Sequence, residues 1–262
     1  MYTTIAADGL PARSVGPWSK EKLTVVGRYM GIFTGSMRHK WDGLTYVDLF
    51  AGPGTCVVDG TGEELRGSPL LALDTRAAFD TVIYVEEDAV ARDALAQRVN
   101  RHPRGQTAQI LAGDCNAVID DVIAKMPKRY LSLVFVDPVG VVDLDPLTIE
   151  RLAMSRNVDL IILFAQQMSV NRNKWQWLVS QEDTPLDRLL GRQWRTSLTP
   201  EVQQFMSVLR GFGFSFVEGA GRAFKNTRGA QLYYLVFASK SLTAATFWER
   251  ISRDDEQPSL FS

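Results

Sequence analysis

The chain has 262 residues, of which 45% are hydrophobic and 23% are charged, a composition typical of globular proteins. Its 29 basic and 30 acidic residues nearly cancel, which excludes a protein that binds polyanions by bulk charge alone. Two cysteines cannot by themselves supply a disulfide framework or a four-ligand zinc site, and no apolar run is long enough to cross a membrane. We therefore expect a reduced, cytoplasmic protein without a metal or a membrane segment.

The first predicted element is an amphipathic helix. Apolar side chains recur at three- and four-residue steps through positions 23–37, and Ser19 can cap the start, so we expect a helix within residues 18–40. Five β/α units follow, because β-rich runs alternate with helical segments. The candidate strands are 45–50, 81–86, 108–112, 131–137 and 159–165. This alternation predicts an α/β fold with a doubly wound, mostly parallel Rossmann-like sheet.

The last third of the chain departs from this alternation. Residues 166–198 contain three tryptophans without clear periodicity, and we expect an insertion over the active edge of the sheet. Two β-rich runs, 214–217 and 232–239, leave no room for a crossover helix and predict a C-terminal antiparallel hairpin. A single domain is therefore expected over 1–253, with residues 254–262 as a flexible tail. Helix starts with an N-cap followed by proline are predicted at Asp145-Pro146 and Thr199-Pro200.

A glycine turn after the first candidate strand is the main functional motif. The sequence DLFAGPG at 48–54 places glycines where the backbone must approach a ligand closely and adopt positive φ. A dinucleotide fingerprint would have a third glycine at Val57, whereas an acid four positions before the first glycine is the pattern of S-adenosylmethionine (SAM) binders. SAM is therefore the expected cofactor, and an ordinary turn is the alternative. The cofactor-binding residues assigned in this turn are Asp48, Phe50, Gly52 and Gly54.

An acidic residue stands at the carboxyl end of each of the next two candidate strands. Glu86 is the first acid after an apolar run and can accept two hydrogen bonds from a ribose diol, the alternative being a solvated acidic turn. Asp114 can hold an adenine amino group or cap the helix that follows it. Cys115 is assigned to the same cofactor loop, with simple packing as the alternative. Because parallel strands end at one edge of the sheet, we expect these side chains to surround one adenosyl group.

Asp137 follows the most apolar strand and is the leading catalytic candidate. A carboxylate at the end of a buried strand is costly unless it meets a ligand or a hydrogen-bond donor. Pro138 and Gly140 make the turn rigid and tight, so all three residues are assigned to the catalytic edge. The alternative is an aspartate that forms a turn or caps a helix.

Four residues are candidates for acceptor binding. Lys22 on the first helix can close over the site or bind a phosphate, and Arg66 and Ser68 lie in a glycine-rich loop just after the ligand turn. Trp175 in the insertion can stack on a base. The structural alternatives are a solvated lysine and a tryptophan that anchors a core or a lid.

Several motifs together resemble a known group, the three-Cys-motif partner family. They are Trp18 with Lys22, DLFAGPG at 48–54, GSPL at 67–70, the strand ending at Glu86, GD at 113–114 and DPVG at 137–140. This resemblance spans nearly the whole chain. It implies a bacterial protein with a class I SAM-dependent methyltransferase-like fold, SAM as cofactor and a protein partner encoded nearby.

More distantly, the order of GSP, an acidic strand end and a DP turn is similar to the adenine-N6 methyltransferases of large-subunit ribosomal RNA. Those enzymes carry a DPPY-type turn in which the aromatic ring stacks on the base. Here Val139 and Gly140 stand where that proline and ring would be. A stacking ring would therefore have to come from elsewhere, such as Phe164 or Trp175.

The distribution of charge favours a nucleic-acid acceptor. Residues 171–230 contain nine basic and five acidic residues, an excess that a phosphate-tracking groove needs and that scattered surface charge also produces. The tail sequence QPSLF at 257–261 resembles peptides that dock on the bacterial sliding clamp. We predict a SAM-dependent methyltransferase acting on a nucleobase or nucleotide-containing acceptor. The alternatives are a non-catalytic partner protein with the same fold and a hydride-transferring nucleotide enzyme.

Overall fold

The computed structural model of the protein describes residues 4–155, 157–225 and 231–253. The strands are β1 (Thr4–Ile5), β2 (Pro11–Val15), β3 (Leu44–Asp48), β4 (Thr55–Val58), β5 (Glu64–Arg66), β6 (Thr81–Glu86), β7 (Ala108–Ala112), β8 (Leu131–Val136), β9 (Asn157–Phe164), β10 (Phe216–Lys225) and β11 (Gln231–Ser239). The helices are α1 (Trp18–Met37), α2 (Ser68–Asp74), α3 (Ala89–Arg101), α4 (Ile119–Lys125), α5 (Pro146–Ser155), α6 (Arg172–Val179), α7 (Pro185–Leu190), α8 (Glu201–Gly211) and α9 (Leu242–Arg253). The predicted tail and its QPSLF motif lie outside the described residues.

Seven strands form the central sheet in the order β10-β11-β9-β8-β3-β6-β7. Five of them pair in parallel, and β11 runs antiparallel to both β9 and β10. The predicted doubly wound, mostly parallel sheet and its antiparallel hairpin are confirmed. The chain leaves β3 toward β6 on one side and later returns to β8 on the other, which makes the β3/β8 boundary the switch point where open α/β sheets bind ligands.

Successive residues of the inner strands alternate between two hydrophobic cores. On β8, Leu133 and Phe135 face the core formed with α1, α2, α3 and α9. Val134 and Val136 face the second core, formed with α4, α5, α7 and α8. Because both faces of the sheet are covered, a polar side chain on these strands can reach a ligand only at a strand end. Among the described residues, no helix is both long and apolar enough to cross a bilayer.

A second, smaller sheet joins the amino terminus to the segment after β3. Its strands have the order β1-β2-β4-β5, and β2 pairs in parallel with β4 so that Arg13 lies opposite Cys56. The sequence pattern predicts a loop at 60–69 and no strand near the amino terminus. Strands of two to five residues are too short for alternation to reveal them, and only the pairing partner stabilises them.

Two predicted helix caps differ from the structure. Ser19 lies inside α1, which begins after Pro17, and α8 begins after Pro200 rather than after Thr199. The Asp145 prediction is correct, because its carboxylate accepts the Leu147 N–H at 2.9 Å at the start of α5. In all three cases the proline limits where the helix can begin.

The segment 166–198 consists of a π-helical turn at Gln166–Asn171, then α6, α7 and a 3₁₀ turn at Arg192–Arg195. Trp177 and Trp194 are buried in the second core. Most of the segment therefore packs against helices on one face of the sheet, and the π-helical turn reaches the carboxyl edge through Ser169.

A buried acid on β9 predicts a pH dependence of stability. Asp159 is 3% exposed and accepts a hydrogen bond from the Ser239 hydroxyl at 2.5 Å. Burial raises the pKa of Asp159 to about 7, although hydrogen bonds from Ser239 and Tyr29 oppose the rise. The folded state therefore holds this proton more tightly than the unfolded state. Its contribution to stability is present below the ordinary pKa of 3.8 and is lost as the pH rises toward 7.

We expect Asp159→Asn to remove this dependence, because asparagine is neutral at every pH. Between pH 4 and pH 7, the free energy of unfolding of the unaltered chain should fall by up to about 1.4 kcal/mol per pH unit more than that of the variant. Urea denaturation at several pH values measures the difference. Parallel stability curves for the two proteins would contradict the assignment.

Candidate functional site

The glycine turn between β3 and β4 is held from two sides. Gly52 and Gly54 have φ of 64° and 86°, left-handed conformations that glycine adopts without steric cost. The Gly52 N–H donates to Glu86 Oε2 at 2.7 Å, and the Gly67 N–H donates to the Gly54 carbonyl at 2.8 Å. A Cβ on Gly67 would lie only 3.0 Å from that carbonyl oxygen. The turn is thus a closely packed wall of backbone at the end of β3.

Asp48 lies beneath this turn and lines neither of the two cavities described below. It is fully buried and accepts hydrogen bonds from the Tyr46 hydroxyl at 3.1 Å and the Phe50 N–H at 3.3 Å. Burial raises the pKa of Asp48 to about 7, while a hydrogen bond from Ser68 opposes the rise. Its contacts support the glycine turn from the inside.

A cavity of about 590 Å³, here called the large cavity, opens at the carboxyl ends of β3, β6, β7 and β8. Glu86 lies on its wall, nearly buried, and accepts hydrogen bonds from two backbone N–H groups. Asp114 lines the cavity from the end of β7. Val139 and Val142 line it too and are 63% and 54% exposed. The large cavity therefore combines carboxylates with uncovered apolar surface.

The loop after β7 is fixed by one asparagine. Asp114 Oδ1 accepts from the Asn116 backbone N–H at 2.7 Å, and the Asn116 amide donates to the Asp143 carbonyl at 3.0 Å. Cys115, between Asp114 and Asn116, is buried. Burial together with the charge of Asp114 raises the pKa of its thiol to about 12. Cys115 therefore stays a neutral thiol at physiological pH and contributes shape rather than charge to the cavity wall.

A cavity of about 280 Å³, the small cavity, lies between α1, the small sheet and the turn after β8. Lys22 Nζ and Asp137 Oδ2 are 2.5 Å apart there, and both side chains are 13% exposed. The Lys22 ammonium also lies 5.9 Å from the centre of the Tyr233 ring. Ser68 and Pro138 also line this cavity.

The two cavities adjoin along the carboxyl edge of the sheet, and together they are called the cleft here. Four residues line both of them: Arg13, Phe50, Asp137 and Val139. Their shared wall lies at the β3/β8 switch point. The structure brings together on the cleft most of the sequence-predicted site residues, namely Lys22, Phe50, Gly52, Gly54, Ser68, Glu86, Asp114, Cys115, Asp137, Pro138 and Gly140.

Two candidates for acceptor binding lie away from this cleft. Arg66, at the end of β5, forms an ion pair with Asp74 and lines a separate cavity that also includes His102. Trp175 is 79% exposed on α6 and lines neither the large nor the small cavity.

Sequence reasoning missed Arg13 and Tyr233. Arg13 reaches the cleft from β2, whose pairing partner β4 lies more than 40 positions further along the chain, so no local pattern marks it. Tyr233 lies within the β-rich run that the sequence assigns to the hairpin, where an aromatic residue is expected to pack in the hydrophobic core rather than to line a cavity.

Neither protein-family models nor curated protein sequences match the chain. Solved structures do resemble it. A DUF519 protein from Legionella pneumophila is 11% identical, with 88% of this chain and 91% of that one covered and a TM-score of 0.53. The amino-terminal domain of human METTL16, solved in complex with S-adenosylhomocysteine (SAH), is 10% identical, with 81% and 68% covered and a TM-score of 0.45. The predicted membership of the three-Cys-motif partner family stays a prediction, and the likeness shows a Rossmann-like α/β fold with a mostly parallel sheet.

Proposed function

We propose that this chain is a SAM-dependent methyltransferase that acts on a nucleobase or another nucleotide-containing acceptor. The observation that carries the proposal is the single cleft at the switch point, in which the glycine turn and the carboxylates from three strand ends meet. Glu86 and Asp114 border its large cavity, and Asp137 lies where the large and small cavities join.

The residues of the large cavity fit the adenosyl part of SAM. Glu86 would accept hydrogen bonds from the ribose hydroxyls, and Asp114 would accept one from the adenine amino group. Val139 and Val142 present the exposed apolar surface that a purine ring would cover. When bound, SAM supplies a methyl group on a positively charged sulfur.

The small cavity fits the acceptor, because Asp137 borders both cavities. Methyl transfer requires an in-line approach of the acceptor atom and exclusion of water. The Gly140 N–H donates to Asp143 Oδ2 at 2.8 Å, which fixes the turn that carries Asp137. An acceptor with a hydrogen-bond donor, such as an amino group, would compete with Lys22 for the Asp137 carboxylate.

The basic residues of segment 171–230 give this proposal little support. Three of them are neutralised locally, in ion pairs that join Lys174 to Glu201, Arg192 to Asp183 and Arg195 to Asp187. Arg172 and Arg188 are exposed. The nucleotide character of the acceptor therefore rests on the turn at Asp137 rather than on a charged groove.

Calorimetry with the purified chain tests cofactor binding. We expect SAM and SAH to bind and NAD not to bind. Transfer of a tritiated methyl group to RNA, DNA and protein fractions of a cell extract then tests the reaction. Absence of SAM and SAH binding would overturn the proposal, whereas SAH binding without label in any fraction would favour a non-catalytic partner protein.

The Glu86→Gln variant tests the ribose contact. We expect SAH to bind roughly 10- to 100-fold more weakly, because hydrogen bonds to a charged group are worth about 1.5–3 kcal/mol. Asp93→Asn, which changes an exposed acid on α3 that lines neither cavity, is the matched control and should bind SAH nearly as well as the unaltered chain. Equal binding by both variants would rule out the assigned role of Glu86.

A further inference from the structure

Arg13 is a cation of the cleft that has no partner within residues 4–155, 157–225 and 231–253. Its side chain lines both the large and the small cavity. Its guanidinium makes no hydrogen bond or ion pair to the described residues, whereas Lys22 is paired with Asp137 and Arg98 with Asp8. A half-buried guanidinium with five donors is normally matched by an acceptor, so this charge points to a ligand.

Four acids near the junction, the region where the large and small cavities meet, already accept hydrogen bonds or form an ion pair. Asp137 is held by Lys22, and Asp59 on the rim of the small cavity accepts the Ser14 hydroxyl. Glu86 and Asp114 in the large cavity accept backbone N–H groups at 2.7 Å each. Of the two cations that line the cavities, Lys22 is paired with Asp137, whereas Arg13 has no carboxylate partner among the described residues.

The backbone that carries Arg13 is tied to the glycine turn. In the β2/β4 pair Arg13 lies opposite Cys56, the second residue of the strand that follows the turn. The Arg98 guanidinium joins the β1/β2 hairpin to the turn, because it donates to Asp8 and to the Pro53 carbonyl at 2.6 Å. The strand pairing and the Arg98 contacts therefore fix the backbone of Arg13 beside the junction.

We propose that Arg13 binds the α-carboxylate of the methionine part of the cofactor. This inference rests on the proposed function. With the adenosyl group in the large cavity and the sulfur beside Asp137, the amino-acid part of SAM would lie where the two cavities meet, and Arg13 borders both there. The carboxylate is the only fully negative group of SAM, and its planar shape matches the two-pronged donor face of a guanidinium.

The experiment compares two ligands that differ only beyond the sulfur. SAH carries the amino-acid part, whereas 5′-methylthioadenosine keeps the adenosyl group and the sulfur but has no carboxylate. Calorimetry measures both dissociation constants for the unaltered chain, Arg13→Met, Arg13→Lys and the control Arg151→Met. Arg151 lies on α5, outside the cleft, in an exposed ion pair with Asp120.

We expect Arg13→Met to weaken SAH binding roughly 10- to 100-fold and to leave the affinity for methylthioadenosine unchanged. Arg13→Lys should lose less SAH affinity than Arg13→Met, because lysine keeps the positive charge and loses only the two-pronged hydrogen-bond geometry. If Arg13→Met fails to fold, Arg13→Lys provides the test. Arg151→Met should bind both ligands normally.

Three results would overturn the inference. Equal loss of both ligands would mean that Arg13 only supports the shape of the cleft. Unchanged SAH binding by both Arg13 variants would mean that the carboxylate lies elsewhere, and inhibition of the reaction by inorganic phosphate that disappears in Arg13→Met would then assign Arg13 to an acceptor phosphate. An unaltered chain that binds neither ligand would instead remove the proposed function itself.

Discussion

The Asp137→Asn variant is expected to lose at least about 100-fold in methyl-transfer rate while it binds SAH as tightly as the unaltered chain. Asparagine has the same shape but cannot accept a proton or carry the negative charge that holds Lys22 at 2.5 Å. An acceptor amine could still donate to the amide oxygen, but it would lack a charged partner and the place where its proton goes. The rate of tritium transfer and calorimetry with SAH separate the two effects.

The control for this variant is Asp120→Asn, which removes an exposed acid on α4 that pairs with Arg151. It should transfer methyl groups at the normal rate, because exposed ion pairs contribute little to structure. A normal rate for Asp137→Asn would show that the acid does not act on the acceptor. A joint loss of rate and SAH affinity would move Asp137 from the acceptor to the cofactor.

The largest effect on stability is expected for Arg98→Met. The Arg98 side chain is 4% exposed and donates to both oxygens of Asp8 at 2.8 Å, to the Pro11 carbonyl at 2.8 Å and to the Pro53 carbonyl at 2.6 Å. Methionine leaves these acceptors without a donor. Asp8 is 32% exposed and can be solvated, but each buried carbonyl left without a donor costs about 1–3 kcal/mol. We also expect weaker SAH binding, because Pro53 belongs to the glycine turn.

Urea denaturation measures this loss, and Arg101→Met is the matched control. Arg101 is on the same helix and exposed, so its replacement should change the free energy of unfolding by less than about 0.5 kcal/mol. The two variants should also differ in how their free energy of unfolding changes at acidic pH. The hydrogen bonds from Arg98 lower the pKa of Asp8, so this contribution is present above the ordinary pKa of 3.8 and lost as the pH falls through the lowered value.

The loss of stability that follows protonation of Asp8 at low pH should be absent in Arg98→Met and present in Arg101→Met. Equal stability of Arg98→Met and the unaltered chain would mean that the hairpin is held by its strand pairing alone. Loss of stability with normal SAH affinity would mean that the glycine turn keeps its form without the Arg98 contact.

The sequence by itself determined the central sheet and the edge at which its acids gather. The run Leu131–Val136 is apolar at every position except Ser132, which is typical of a strand buried on both faces, and the alternation with helices predicts a parallel order. Parallel strands direct their carboxyl ends to one side. Glu86, Asp114 and Asp137 could therefore be assigned to one edge of the sheet without coordinates.

Only the tertiary structure decided which groups face the cleft and how their charges are matched. Asp48 follows the glycine-turn pattern, yet it is buried beneath the turn, because the Tyr46 hydroxyl and the Phe50 N–H satisfy it there. Lys22 meets Asp137 across 115 positions of sequence.

Arg13 enters the cleft from a strand that exists only because β4 pairs with it. Contacts between distant segments depend on how the whole chain packs, and no local pattern of residues encodes them. Local periodicity could therefore reveal the sheet, while the partners of each charged group emerged only once the strands, helices and the small sheet were assembled.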